Sequence, residues 1–294
     1  MKNWQIFFLI SFFISCDDSK QLSNSFFIAG HTYGSPELRS NEDNTDKGLY
    51  KPFIDKFQFL EDQPKMDFGF LLGDCVWKPN EWPIVMEQMK ELEIPTHIAR
   101  GNHDGGLKLF KKNFGDSYKK FVHKDNLYIV LDSNIDSWNI SDDQLVFLMN
   151  ALRNEGSSVN NIFIFSHHLL WYSKTKFSKP FPNSLSGRPE TTNFWSKIEP
   201  LLKNQTTPVY IFAGDVGAFS KEKRKKDHII EYYYHNYDNI TFVASGMGGG
   251  VRDNLIVVDV LKDGTVDFRL IHLNGTDING LGKLQDYVDP NFTN

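Results

Sequence analysis

The sequence predicts an α/β fold with a metal site at one sheet edge. Five apolar segments with the residue preferences of β-strands each end in a side chain that can bind a metal, and segments with helical periodicity lie between them. These five segments are residues 25–34, 68–74, 94–104, 161–168 and 208–215. Open α/β sheets bind ligands at the carboxyl ends of their strands, so we expect the five endings to meet.

In the first segment, residues 25–34, an apolar strand-like stretch leads into the run Gly-His31-Thr-Tyr33-Gly. The spacing of the residues that follow predicts a helix over residues 49–61. The side chains expected to face the core from this helix are Tyr50, Phe53, Ile54 and Phe57.

The second and third segments end in Gly73-Asp74 and in the run Gly101-Asn-His-Asp104. Between them, a helix is predicted from about Pro83, where proline is tolerated, to about Glu91. Carboxylate and carboxamide oxygens beside an imidazole are plausible ligands for a hard or borderline divalent ion.

The fourth segment ends in His167-His168 and the fifth in Asp215. Ser141 is a suitable N-cap for a helix that continues to about Leu152. A helix is also predicted over 194–203, and strands over 128–131, 240–244, 255–260 and 266–273, the last two joined by a hairpin turn at 262–265. One His or Asp at a strand end is usually a cap, but five in series favour a metal site because caps need no histidine.

In order and spacing, these endings resemble the five motif blocks of the calcineurin-like metallophosphoesterase family, along residues 25–272. Those blocks read G-D-x-H, G-D, G-N-H-D/E, a His often followed by x-Pro, and G-H-x-H. The second and third blocks are intact, and the fourth matches at His167, with Leu169 in place of Pro. The first and last depart from the pattern, because they read Gly30-His-Thr-Tyr33 and Gly214-Asp-Val-Gly217.

The resemblance implies a two-sheet β-sandwich flanked by helices, a four-layer arrangement with metals at one edge, formed by a single domain over residues 25–294. Position by position, it makes Asp74 a ligand shared by two ions. The ligands that complete the second ion's site are Asn102, His167 and Asp215. His31, Tyr33 and Gly217 occupy the positions of the first ion's ligands.

The first ion's site is depleted, because glycine offers no side chain and neutral tyrosine is a poor ligand. A shifted register would place His31 at the family's His position and leave Ala29 at the Asp position. In both registers we expect about one divalent ion per chain, chosen among Mn, Mg, Ca, Fe and Zn. The oxygen-rich donor set favours the harder ions over Zn²⁺.

By resemblance, His103 does not bind the metal but protonates the leaving group or stabilises the transferring phosphoryl group. Asp104 is expected to hold the His103 imidazole in orientation. The implied function is hydrolysis of a phosphate mono- or diester by a metal-activated water. Tyr33 and Gly217 favour an alternative, in which a catalytically degenerate member of the family binds a ligand or an envelope partner without turnover.

The N-terminus has the pattern of a bacterial lipoprotein signal peptide over residues 1–15. A basic start is followed by an apolar run through Ile14 that is too short to span a membrane, and then by Ser15-Cys16. Cys16 would carry the lipid, and residues 16–24 would form a tether. A plain signal peptide with an incidental cysteine is the alternative. The lipid would anchor the chain in the bacterial cell envelope, facing the periplasm or the surface, near phosphorylated small molecules or envelope substrates.

Composition narrows the class of protein further. The chain has 294 residues, of which 40% are hydrophobic, so it can bury one large core. A formal net charge of −5 gives no support for nucleic-acid binding by the whole chain. The two cysteines imply no disulfide framework, because lipidation of Cys16 leaves Cys75 alone. Cys75 is expected to be a structural thiol, with a redox or nucleophilic role as the alternative.

Three segments lack a strong motif. Residues 171–188 form a long stretch without secondary-structure signals, which predicts a substrate-facing loop or a mobile surface loop. The charged run 221–226 is expected to be a solvated face rather than an anion-attracting patch. The glycine-rich run 245–250 lacks the Lys-Ser/Thr of a P-loop, so we expect a tight passage of backbone past the metal edge.

Overall fold

The structure is a computed structural model that describes residues 21–34, 47–217, 231–250, 252–275 and 282–288. The predicted signal peptide with Cys16 and the charged run 221–226 lie outside these ranges. Within them, none of the helices combines the length and the apolar character needed to cross a bilayer.

The described chain contains twelve strands and six α-helices. The strands are β1 (Leu22–Ala29), β2 (Met66–Leu71), β3 (Thr96–Ile98), β4 (Lys119–His123), β5 (Asn126–Val130), β6 (Asn161–Ser166), β7 (Val209–Ala213), β8 (Tyr232–Tyr237), β9 (Ile240–Ser245), β10 (Asn254–Leu261), β11 (Val266–His272) and β12 (Gly282–Lys283). The helices are α1 (Lys51–Ile54), α2 (Phe57–Glu61), α3 (Trp82–Gln88), α4 (Leu107–Phe114), α5 (Asp142–Glu155) and α6 (Glu199–Lys203). Short 3₁₀ turns flank α3, and a π-helical turn, Phe194–Ile198, precedes α6.

The strands form two mixed sheets of six. The first sheet has the order β12-β11-β10-β1-β2-β3, and β1, β2 and β3 run parallel. The second sheet has the order β4-β5-β6-β7-β9-β8, and β5, β6, β7 and β9 run parallel. The remaining neighbours are antiparallel, including the β10–β11 hairpin predicted from the sequence. Each sheet therefore has a parallel centre whose strand ends lie on one edge.

The alternation of side chains along each strand separates two apolar layers. In β1, Phe26 and Ile28 point between the sheets, whereas Phe27 and Ala29 face the helices. Phe26 is fully buried, and its ring contacts aromatic rings from both sheets, among them Phe70 and Phe165. Truncating such a ring to alanine typically costs about 3–5 kcal/mol.

Helices cover the outer face of each sheet. Phe53 of α1, Leu60 of α2 and Trp82 of α3 pack on the first sheet. Leu148 of α5 and Leu202 of α6 pack on the second. The order helix, sheet, sheet, helix confirms the four-layer sandwich that the sequence predicts.

Some local predictions need correction. The helix predicted over 49–61 is two short helices, because Lys56 leaves the helical conformation and its N–H bonds Phe53 O three residues back. The tether ends earlier than Asn24, because β1 begins at Leu22 and the buried Asn24 amide donates to Tyr128 Oη. Strands β4 and β8 were not predicted.

The helix predicted from Ser141 is confirmed, since α5 begins at the next residue. Ser141 has the extended backbone of an N-cap, but its hydroxyl donates to Asp136 Oδ2 instead of accepting from the first turn. The residue therefore marks the helix start through its backbone conformation alone.

Candidate metal centre

The predicted ligands follow the parallel strands of both sheets. His31 follows β1, Asp74 follows β2, Asn102 follows β3, His167 follows β6 and Asp215 follows β7. The ligand atoms of His31, Asp74 and His167 all lie within 4.8 Å of one another. The two sheets thus deliver their strand ends to one shared edge, as open α/β sheets do at ligand sites.

Two of these residues have an unusual backbone. His31 and Asp74 both have φ of 53°, in the left-handed region that residues with a Cβ seldom adopt. Strain of this kind persists where surrounding structure enforces it and is frequent at functional sites. Gly73 has φ of 82°, and a Cβ there would lie 2.6 Å from His167 Nδ1. Glycine therefore lets the end of β2 approach the His167 ring.

His167 has the orientation of a metal ligand. Its Nδ1 lies 2.9 Å from the carbonyl oxygen of Leu72, and because a carbonyl only accepts, Nδ1 carries the proton. In the neutral ring Nε2 then presents a lone pair, and it faces Asn102 Oδ1 at 3.0 Å and Asp74 Oδ1 at 3.5 Å. Metal-binding histidines usually donate their other N–H in this way. Three acceptor atoms thus converge on one space.

His31 extends the cluster toward Asp215. Its Nε2 lies 3.4 Å from Asp215 Oδ1 and 3.7 Å from Asp74 Oδ2. Two atoms of this pair, His31 Nδ1 and Asp215 Oδ2, are buried without a hydrogen-bond partner in the described part of the chain. Buried polar atoms are rarely left unpaired, so this pair also indicates a binding site for a cation.

The separations between these atoms fit a single ion. Two donors that each lie about 2.1 Å from a metal are about 3.0 Å apart at an octahedral angle and about 3.4 Å apart at a tetrahedral angle. Four contacts between these atoms run from 3.0 Å, between His167 and Asn102, to 3.7 Å, between His31 and Asp74, and the ligand atoms of His31, Asp74 and His167 are all within 4.8 Å of one another. The residues present therefore fit a divalent ion.

Burial and charge act against each other in this cluster. Burial alone would raise the pKa of Asp74, but the nearby His167 and His31 outweigh it and lower that pKa. Burial raises the pKa of Asp215 despite its histidine neighbours. Burial lowers the pKa of His167, yet Asp74 and Asp215 raise it overall. In this cluster the negative charge of the carboxylates is stabilised by the nearby imidazoles when these are protonated. A bound cation would supply that positive charge instead.

Hydrogen bonds connect the loop after β3 to the loop after β2. The N–H of His103 donates to Asp74 Oδ1 at 3.0 Å. The Asp104 carboxylate accepts from the main-chain N–H of Gly101 at 2.7 Å, Asp74 at 3.0 Å and Cys75 at 2.7 Å. Burial, and then the charge of Asp74, raise the pKa of Asp104 to about 6, and the donated N–H groups oppose the rise.

This arrangement corrects the role predicted for Asp104. The Asp104 oxygens bond main-chain N–H groups, whereas His103 Nδ1 lies 3.0 Å from the carbonyl oxygen of Trp77. Asp104 therefore holds the two loops together and does not orient the imidazole. The carbonyl requires the proton on His103 Nδ1, which leaves Nε2 as the nitrogen free to exchange a proton with a substrate.

A family model described as calcineurin-like phosphoesterase matches residues 31–246, which is more than half of the chain. The chain belongs to this family. The family uses divalent metal ions, in agreement with the His and Asp cluster at the sheet edge. No curated protein matches the sequence.

A solved structure with a TM-score above 0.5 shares the fold. A purple acid phosphatase from yellow lupin (Lupinus luteus) superposes with a TM-score of 0.56 at 14% identity, covering 86% of this chain and 52% of that one. The match to an NAD nucleotidase from Haemophilus influenzae has a TM-score of 0.44 at 16% identity and covers 85% of this chain and 49% of that one. The match to a putative 5'-nucleotidase from Staphylococcus aureus has a TM-score of 0.46 at 10% identity and covers 91% of this chain and 56% of that one. This chain spans about half the length of these neighbours.

The departures from the family pattern have structural counterparts. Tyr33 is buried, with its ring 5.4 Å from that of His31 and 5.6 Å from that of His103. Gly217 has φ of 81°, and a Cβ there would lie 3.2 Å from main-chain atoms of Gly246 and Met247. A histidine at residue 217 would thus meet both backbone strain and crowding.

Asn183 and His168 adjoin the cluster but were not assigned to it from the sequence. Asn183, in the segment 171–188, donates its N–H to Asp215 O at 2.7 Å, and its Nδ2 lies 3.4 Å from His31 Nε2. His168 stacks on Trp138 with ring centroids 4.1 Å apart, and a ring nitrogen lies within 4.8 Å of ligand atoms of His167 and Asp215. The histidine pair was a visible signal for His168, whereas Asn183 carries none.

Cys75 lies beside this centre as a buried thiol. It packs in the core between the first sheet and its helices, and burial and then the Asp104 charge raise the pKa of its thiol well above the ordinary value. A protonated, inaccessible thiol is a poor nucleophile, in agreement with the structural role expected from the sequence.

Proposed function

We propose that this phosphoesterase hydrolyses a phosphate mono- or diester with one divalent ion held by Asp74, Asn102, His167 and Asp215, and with His31 beside them. The observation that carries the proposal is the orientation of His167. Its Nδ1–H is engaged by Leu72 O, and its Nε2 lone pair faces Asn102 Oδ1 at 3.0 Å with no proton between them in the neutral ring. Positive charge relieves this contact between two acceptors: either a proton, which the raised pKa of His167 favours in the metal-free protein, or the bound cation that we propose.

Each residue contributes a distinct property to the reaction. The ion supplies Lewis acidity, which lowers the pKa of a bound water and neutralises phosphoryl charge. Asp74 and Asp215 balance that positive charge, and the buried setting strengthens their attraction to it. His103 offers Nε2 for proton exchange with the leaving group, since Nδ1 is engaged by the Trp77 carbonyl.

The test combines metal analysis with hydrolysis assays on one preparation. We expect about one ion per chain and hydrolysis of 4-nitrophenyl phosphate, bis(4-nitrophenyl) phosphate or both. EDTA should abolish the activity and Mn²⁺ should restore it. His103→Ala should keep the metal and lower kcat by about a hundredfold or more, the scale of a proton-transfer group. His123→Ala, on edge strand β4 and paired with Asp67, is the matched control and should be unaffected.

Each departure from these results has a defined meaning. A metal-loaded protein without hydrolysis of either ester would favour the ligand- or partner-binding alternative, which Tyr33 and Gly217 support. Equal activity of wild type and His103→Ala would reject the role given to His103. Two tightly bound ions per chain would show that the depleted site is complete after all.

We further propose that Cys16 carries a lipid that anchors the enzyme in the bacterial cell envelope, where its substrate is a phosphorylated small molecule or envelope component. The support is the pattern of residues 1–16 in the sequence. Cys16→Ser should release the protein from the membrane fraction, while Cys75→Ala, the matched cysteine control, should leave it there. An unprocessed N-terminus in cells would contradict the proposal.

A further inference from the structure

Three aromatic rings stand beside the metal centre. The indole of Trp77 stacks on the imidazole of His103 with centroids 4.4 Å apart and planes 23° from parallel. The Tyr33 ring lies 5.6 Å from each of the two. Such ring pairs favour particular relative orientations and stabilise them beyond the effect of burying their area.

Trp77 contacts the His103 ring in a second way, through its main chain. The carbonyl oxygen of Trp77 accepts from His103 Nδ1 at 3.0 Å. One residue therefore restrains both the face of the imidazole and the nitrogen that carries its proton. Asp104, the residue expected to do this, accepts from main-chain N–H groups instead.

The backbone that carries Trp77 is itself fixed. Main-chain N–H groups of Asp74, Cys75 and Val76, the three residues before Trp77, donate to the Asp104 carboxylate at 2.7–3.3 Å. Farther along the chain, Trp82 Nε1 donates to Asp104 O at 2.9 Å. The segment before Trp77 is thus locked to the loop that carries His103. A stacked indole on this segment has a defined position relative to the imidazole.

We propose that Trp77 is the positioning residue for His103: its stacked indole keeps the imidazole oriented toward the Trp77 carbonyl oxygen, and that contact keeps the proton on Nδ1. The catalytic consequence rests on the proposed phosphoesterase function. Trp77 is partly exposed and belongs to none of the three buried core clusters, so its ring can be removed without a hole in the core.

The kinetic test compares Trp77→Ala with Trp77→Phe, which keeps an aromatic face. A misplacement of a catalytic group by about 1 Å can cost about a hundredfold in rate. We expect Trp77→Ala to lower kcat by about tenfold to a hundredfold with KM and metal content unchanged, and Trp77→Phe to retain most activity. Trp195→Ala is the control, because it removes a partly buried tryptophan whose ring contacts the Lys176 ammonium group. This substitution should leave kcat and KM unchanged.

A double mutant separates positioning from direct contact with substrate. If Trp77 acts through His103, Trp77→Ala should cause no further loss in a His103→Ala background. The loss in the His103-containing enzyme should also be larger for an alkyl phosphate than for 4-nitrophenyl phosphate, because a poor leaving group needs the proton more. Multiplicative losses in the double mutant would overturn the proposal.

The orientation of the ring can be measured without any turnover. In ¹⁵N NMR of the metal-free protein, the His103 imidazole should show a single tautomer with the proton on Nδ1. Trp77→Ala should convert it to an averaged mixture, and Trp77→Phe should not. A mixed or Nε2-protonated ring in the wild type, or an unchanged ring in Trp77→Ala, would overturn the proposal. A fixed ring in a protein that hydrolyses no ester would reject the proposed function while keeping the role of Trp77.

Discussion

The two sides of the metal centre differ in how their side chains are supported. The His167 side comprises Asp74, Asn102 and His167. The His31 side comprises His31, Tyr33 and Gly217. On the His167 side, every ligand faces the same space and the imidazole is oriented by Leu72 O. On the His31 side, the imidazole has one buried nitrogen without a partner in the described chain.

This difference shows that a ligand position depends on the backbone and on its neighbours as much as on its own side chain. At residue 217 the left-handed φ and the nearby Met247 backbone oppose any side chain. The backbone at this position therefore disfavours a side-chain ligand. His31 still presents Nε2 to Asp215 and Asp74, and it can therefore supplement the ion on the other side. We infer one well-supported site rather than two weak ones.

The largest effect is expected from Asp74→Asn, which removes a carboxylate that lies within 3.7 Å of both His31 Nε2 and His167 Nε2. Asparagine tolerates the left-handed backbone at this position, so the change tests charge and not strain. Metal affinity should fall by more than about a hundredfold, beyond the usual cost of losing a group that only supports a ligand, and hydrolysis should vanish with it. Metal titration and ester hydrolysis measure the two effects. Retained metal would show that the two sides do not share Asp74.

A smaller effect should separate the two histidines. His167→Gln removes the nitrogen that Leu72 O orients, and we expect it to lower metal affinity by about tenfold or more relative to His31→Gln. Calorimetric titration of both variants with Mn²⁺ gives the ratio, and thermal melts of the metal-free proteins control for folding. Equal losses would mean that the two sides support the ion equally.

The smallest effect is expected from Cys75→Ala, beside the His167 side. The thiol is buried and burial raises its pKa, so we expect it to take no part in the proposed hydrolysis. Activity should stay within about twofold of wild type and unfolding free energy should fall by about 1 kcal/mol, as for a typical substitution. Activity assays and denaturant titration test both numbers. A loss of activity without a loss of stability would restore the redox or nucleophilic alternative.

The sequence predicted well where the strands before the candidate ligands end, because strand periodicity is local. An apolar run followed by a polar ending needs no tertiary information, which is why the positions of Asp74 and His167 could be named. The neighbours that support them could not be named, because Leu72 O and Trp77 O act through main-chain atoms that every residue possesses. Asn183 was missed because its segment has no periodicity and reaches His31 only through the fold.

By itself, then, the sequence determined the α/β class, the order of the strands that end in candidate ligands, and the departures at Tyr33 and Gly217, because these follow from residue type and spacing. Only the tertiary structure decided which atoms orient the imidazoles of His167 and His103. In the structure, the Asp104 carboxylate accepts hydrogen bonds from main-chain N–H groups, and His103 Nδ1 donates to the Trp77 carbonyl oxygen. The physical reason is that a carboxylate binds the nearest unpaired donors, and where the donors lie depends on the backbone path of two loops that are distant in sequence.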